Sequence, residues 1–321
     1  GGTFTGPLTV EGNFTADGGT IKLDGNYPVG TGNVALGNTA LDSVEAGGTY
    51  NVAIGDAAGT AITTGDGNVG VGADALLLNS SGGYNTALGT SSVRNNTTGN
   101  YSVGLGQGAL YSNTTASYGT AVGFRAAYSN TTGADNTAMG GNSLYTNSTG
   151  NFNVASGYAS LRLNTTGSSN VGLGYESLKS NTTASSNTAV GYQAGYSNTT
   201  GAENVLVGYK AGYSSTTGNG LTAVGRQALE DNTASNNTAL GFAVMSNNTT
   251  GGFNTALGGA NYGFTGGAMH NNTTGSYNTA LGNQALHGNT TASECTAVGY
   301  QAGHTGNAEQ GTFIGKDSGK L

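Results

Sequence analysis

A five-residue block of the form Asn-(Val/Thr)-Ala-(Leu/Val)-Gly recurs seventeen times in this 321-residue chain. It starts at Asn33, Asn51, Asn68, Asn85, Ser102, Gly119, Asn136, Asn153, Asn170, Asn187, Asn204, Leu221, Asn237, Asn254, Asn278, Cys295 and Gly311. From Asn51 to Leu221 the spacing is 17 residues ten times in succession. A fixed period this short is the mark of a stacked solenoid, in which each repeat forms one coil. With 60 glycines and only 8% charged residues, the composition alone would suit a disordered chain. A disordered chain, however, has no reason to keep a register. No segment carries a 3.6-residue apolar period, so almost no helix is expected. The expected fold is all-β: a parallel β-solenoid of about 17 coils over residues 33–321. Residues 1–32 lie outside the repeat and read as a β cap or junction.

The coil can be numbered from its Asn. Position 2 is always Val or Thr, and position 4 is Leu, Val, Ile or Met in every coil except at Ser156. Side chains alternate along a strand, so positions 2 and 4 share one apolar face. Position 3 is mostly Ala or Gly, which predicts close backbone packing on the other face. Position 5 is Gly throughout, including Gly55, Gly123, Gly191 and Gly258, as a bend or a positive φ requires. Positions 8 and 9 form a second apolar pair, read as a short strand. A Ser-Asn-Thr-Thr-Gly turn follows, as at Ser129 to Gly133.

Stacking places equal positions of successive coils about 4.8 Å apart, so equal residues form ladders. Asn113 and Asn130 belong to an amide ladder at position 12. Tyr158, Tyr175, Tyr192 and Tyr209 form an aromatic stack at position 6, with others at positions 10 and 17. His270, His287 and His304 are 17 residues apart and fall in one row at position 10. A metal site there is conceivable, but rings in a row do not converge on a tetrahedral point; an aromatic ladder is expected instead. Cys295 replaces the Asn of position 1 and reads as a small buried thiol. The coil at Asn254 is 24 residues long, with its insertion near 259–265. Loops often carry binding, so Tyr262 and Phe264 are the candidate surface contacts.

A net charge of −7 with scattered basic residues disfavours nucleic acid. One cysteine excludes an intrachain disulfide framework, and no apolar run reaches the roughly 20 residues of a membrane span. With no signal peptide and Gly as first residue, the chain reads as a piece of something longer. The acidic residues, such as Asp56, Asp74, Glu176, Glu203 and Glu230, fall at different coil positions and do not pair as glycoside hydrolysis demands. No cofactor, metal or catalytic residue is assigned, and no enzyme activity is expected.

The stretch Asn187 to Gly201, Asn-Thr-Ala-Val-Gly-Tyr-Gln-Ala-Gly-Tyr-Ser-Asn-Thr-Thr-Gly, resembles the head repeats of trimeric autotransporter adhesins. It is still more similar to related repeats in bacteriophage tail fibre proteins, as is the opening Gly-Gly-Thr-Phe-Thr-Gly-Pro-Leu-Thr-Val. The repeat resemblance covers residues 33–315. It implies a left-handed β-roll packed as a homotrimer, with the residues at positions 2 and 4 facing the inside of each roll. The autotransporter repeat is shorter than 17 residues, which leaves the outer shape open but not the stacking.

The expected function is therefore a structural fibre, a tail fibre shaft that spaces and presents host-surface contacts. Expected partners are two further copies of the chain, other fibre or virion proteins at the ends, and a host receptor. The setting is a virion or a cell surface. The alternative is a bacterial surface adhesin or a self-assembling extracellular filament. An ice-binding protein is disfavoured because the paired Thr residues are adjacent in a turn and point different ways; a polysaccharide depolymerase is disfavoured for want of paired carboxylates.

Overall fold

The computed structural model describes residues 30–260 and 266–319. The expected cap therefore lies outside the described residues, apart from 30–32. Tyr262 and Phe264 lie outside them as well.

Seventeen three-residue strands run from β1 (Val34–Leu36) to β17 (Thr312–Ile314), and no helix occurs among the described residues. Each strand pairs with the next, parallel and in register, so the coils stack into one continuous sheet. Pairing is residue for residue: Thr86 lies against Val103, Ala87 against Gly104, and Leu88 against Leu105. The chain is a parallel β-solenoid.

The strand's two faces are the reverse of the expectation. Position 3 points inward: Ala87, Ala121, Ala138, Ala155 and Ala189 are fully buried. Positions 2 and 4 point outward, with Leu88 51% and Met139 46% exposed. The cause is space. The interior is already filled from the opposite wall by position 9, where Leu76, Leu110, Leu144, Leu161 and Leu178 are buried. Only a methyl group or a hydrogen fits between that wall and the strand. At Gly70, for example, an added Cβ would already contact Leu76 Cδ1 at 3.4 Å. Close approach at position 3, which its small residues predict, is thus approach across the interior of the coil.

Positions 8 and 9 do not form a second strand. Residues at positions 7 and 9 are left-handed instead, as at Arg125 (φ 51°) and Ala127 (φ 48°), or Glu176 (φ 53°) and Leu178 (φ 48°). Left-handed backbone costs an L-residue about 1–2 kcal/mol. The stack offsets that cost through hydrogen bonds in both directions. The Arg125 N–H donates to Gln107 O in the preceding coil at 3.0 Å, and the Ala127 N–H donates to Ser143 O in the following coil at 2.9 Å.

Two asparagine ladders close the coil. At position 12, Asn113 Nδ2 donates to Asn96 Oδ1 (2.8 Å) and to Ala116 O in its own turn (3.0 Å). Asn130 Nδ2 donates likewise to Asn113 Oδ1 (3.1 Å) and Gly133 O (2.9 Å). At position 1, which the ladder reading left out, the Asn170 N–H donates to Asn153 Oδ1 (3.0 Å) while Asn170 Nδ2 donates to Ala184 O (2.8 Å). Each amide thus serves a buried backbone group that no strand pairing reaches.

Candidate functional site

Successive outward positions along a coil are 17, 2, 4 and 6, and together they make one long surface. Position 17 carries stacked rings, Tyr84, Tyr101 and Tyr118, with centroids 5.2 and 5.4 Å apart. Position 6 carries Tyr158, Tyr175, Tyr192 and Tyr209, stacked at 5.6, 5.3 and 5.3 Å. Between positions 17 and 6 run the exposed aliphatic side chains of position 4, including Leu88, Val122, Met139, Leu173, Leu240 and Leu257. The alternation of side-chain direction generates this surface, because the buried Asn and Ala of positions 1 and 3 and the bend Gly of position 5 separate its members. Its position-4 row is aliphatic in every coil except at Ser156. Monomeric soluble proteins rarely expose such a patch beyond a few hundred Å².

Position 10 forms a separate column. Tyr111, Tyr128 and Tyr145 stack at 4.8 and 5.3 Å. Cations take the same position in neighbouring coils and lie over the end rings: Arg94 over Tyr111 at 5.7 Å, Arg162 over Tyr145 at 5.9 Å, Lys179 over Tyr196 at 5.0 Å. Lys179 Nζ also pairs with Glu176 Oε1 at 2.7 Å and donates to the Tyr196 hydroxyl at 3.2 Å. Burial pushes Glu176 up, but hydrogen bonds from Lys179 and Gln193 and the charges of Lys179 and Arg162 outweigh it, so its carboxyl titrates below the usual range. The bond to Glu176 raises Lys179 above the usual ammonium range.

Further along, the column reads Glu230, Ser246, His270, His287, His304. The three imidazoles stack with centroids 5.7 and 5.1 Å apart. Among the described residues no group of three or more His, Cys, Asp or Glu side chains could hold a metal ion. Ser246 Oγ lies 2.7 Å from His270 Nδ1, and that nitrogen is 3.2 Å from Ala243 O.

Here the column opens into a cavity of about 330 Å³. Its polar lining is Gln227, Glu230, Ser246, Asn247 and His270; Phe242, Ala243 and Gly266 complete it. Reading the turns one coil at a time missed this site. The available signal was the position-10 column read across coils, where a lone Ser follows a run of large side chains.

Cys295 takes the place of a position-1 Asn in hydrogen bonding too. Its N–H donates to Asn278 Oδ1 (2.9 Å), and its thiol donates to Ala308 O (3.0 Å). The thiol thus does the work of the missing amide. The Asn side chains of the repeated Asn-Thr-Thr triplets, such as Asn96, Asn113 and Asn130, are buried in the position-12 ladder. As sequons they are closed in the folded chain. Gly55, Gly123, Gly191 and Gly258 all have φ between 134° and 139°.

Comparison with family models, with curated proteins and with solved structures returns no match.

Proposed function

We propose that the chain is the shaft of a multi-chain fibre, in which the surface of positions 17, 2, 4 and 6 is buried against further copies. The observation that carries this reading is the outward placement of Leu88, Val122, Met139 and their equivalents, on the same face as the exposed tyrosines of positions 17 and 6. Removing such a surface from water stabilises an assembly by roughly 25 cal/mol per Å² of apolar area. Because the surface repeats coil by coil, one unit of contact between chains multiplies along the shaft. The resemblance to trimeric adhesin heads and tail fibres favours three chains, and a closed ring of identical contacts would leave no open edge. The role is mechanical: to hold attachment points away from a particle or cell and to present each of them several times.

Nothing in this role asks for catalysis. The hydroxyls of position 13, which would be needed for a two-rank ice face, are spent inside the stack: Thr97 Oγ1 donates to Thr114 O and Thr114 Oγ1 to Thr131 O. Light scattering with small-angle X-ray scattering tests the reading. A particle of three times the 31.5 kDa chain mass is expected, with seventeen coils of about 4.8 Å making a rod of roughly 80 Å. A compact monomer would refute it.

A further inference from the structure

We infer that the cavity at the Ser246 break is a binding site for a single neutral pyranose unit of a glycan. It gives chemistry to the surface contacts assumed above and rests on that reading only for its biological purpose.

The cavity has a definite origin in the sequence. From Arg94 to His304 position 10 otherwise holds Arg, Tyr, Lys, Glu or His, and position 7 often holds Gln, as at Gln193, Gln227, Gln284 and Gln301. In the coil that starts at Asn237 these positions are Ser246 and Ala243. Two large side chains are missing from one place, while the preceding coil keeps Gln227 and Glu230 and the following coil keeps His270. The backbone stack runs on past the gap, since the Ala243 N–H donates to Arg226 O (2.9 Å) and the Met245 N–H to Ala268 O (3.1 Å). The hollow is thus held open by a continuous framework. Its volume falls within the usual lower range for small-molecule pockets, about 300 Å³ upward.

The lining decides the ligand class. Gln227 Nε2 donates to Glu230 Oε2 at 2.7 Å, which fixes both side chains. Glu230 Oε1 and Gln227 Oε1 are then acceptors available for hydroxyls. Ser246 and His270 hold each other at 2.7 Å. The Phe242 ring is oriented by the Arg226 guanidinium, 5.2 Å from its centroid, and brings an apolar surface to the same cavity. One aromatic surface beside several fixed acceptors and amides suits a ring with an apolar C–H side and a rim of hydroxyls. A fixed carboxylate disfavours an anionic ligand through like-charge repulsion. The exposed aromatic columns at positions 6 and 17 are poorer sugar platforms, because their rings cover one another's faces.

The test is saturation-transfer NMR on the full chain with methyl glycosides of glucose, galactose and N-acetylglucosamine, and with a methyl glucuronide as the acidic comparison. At least one neutral glycoside should show transfer, and the glucuronide at least tenfold weaker transfer. Ser246→Tyr refills the column as Tyr111, Tyr128 and Tyr145 do, so it should fold and abolish transfer. Phe242→Ala, at a position where Ala73 already stands in another coil, should weaken binding at least fivefold. Absence of transfer from every neutral glycoside, undiminished transfer in Ser246→Tyr, or equal binding of the glucuronide would each overturn the proposal. Scattering on the same samples separates a failed sugar site from a failed fibre, because loss of binding leaves rod length and mass unchanged.

Discussion

Leu206 occupies the space that a side chain at Gly212 would need: a Cβ at Gly212 would lie 2.7 Å from Leu206 Cδ2. Gly195, one coil earlier, stands in the same relation, with a Cβ 2.7 Å from Leu206 Cδ1. In coils such as those of Leu144 and Leu161 the interior is filled by Leu at position 9 and Ala at position 3, namely Ala138 and Ala155. Here position 3 is the large residue and position 9 the small one. The same exchange joins Phe313 to Gly303, again at 2.7 Å. The narrow interior can thus be filled from either wall.

That exchange makes the effects of substitution non-additive. Leu206→Ala should cost about 2–5 kcal/mol through the cavity it leaves. Gly212→Leu alone should cost about 1–3 kcal/mol by overpacking. The double variant restores the arrangement of coils with Leu144 or Leu178, whose φ values of 50° and 48° are close to the 59° of Gly212. It should recover most of the loss, as a thermal-melting double-mutant cycle would show.

The position-12 amide ladder is interrupted at Ser215. Neither Asn198 Oδ1 nor Ser215 Oγ finds a hydrogen-bond partner, and both are buried. Ser215→Asn supplies an amide at the spacing used by Asn164, Asn181 and Asn198. Repairing a buried unsatisfied group is worth about 1–3 kcal/mol. The expected outcome is a higher melting temperature, and an unchanged or lower one would mean that Ser215 is matched to its turn in another way.

Gly123 has φ 134°, and a Cβ there would sit 2.7 Å from the carbonyl carbon of Gly140. Neither backbone can yield without parting two coils. Gly123→Val should therefore cost more than about 4 kcal/mol, beyond the common range for single substitutions. Circular dichroism melting would register this as loss of the cooperative transition or its shift to a much lower temperature.

Outward residues should behave differently. Leu88→Asp changes a side chain that the coil itself does not bury. The single chain should keep its β spectrum while sedimentation shifts from the assembled to the single-chain mass. An unchanged sedimentation profile would remove this surface from the interface.

The Glu176–Lys179 pair confers a pH window. Glu176 is lowered on folding, so its contribution is present above the ordinary carboxylate pKa and is lost as pH falls through the lower folded value. Lys179 is raised, so its contribution is present below the ordinary ammonium pKa and is lost as pH rises through the higher folded value. Between about pH 5 and 10 both hold. Lys179→Met should flatten stability against pH at both ends, as measured by denaturant midpoints across the range.

Period, stacking and strand-by-strand register were legible in the sequence alone, because a 17-residue repeat with Gly at every position 5 permits no other economical arrangement of backbone hydrogen bonds. The ladders at positions 6, 10, 12 and 17 were legible for the same reason, since stacking equal positions is arithmetic. Which strand face is the interior was decided only in three dimensions. Alternation separates positions 2 and 4 from position 3, but hydrophobicity ranks Leu88 above Ala87 and points the wrong way. The width of the coil, set by left-handed residues at positions 7 and 9 and by Leu at position 9, leaves room for Ala87 and puts Leu88 outside. The Ser246 cavity is likewise a tertiary fact. It exists because Ala243 and Ser246 of one coil lie between Gln227 and Glu230 of the preceding coil and His270 of the following one, a relation that appears only once the coils are stacked.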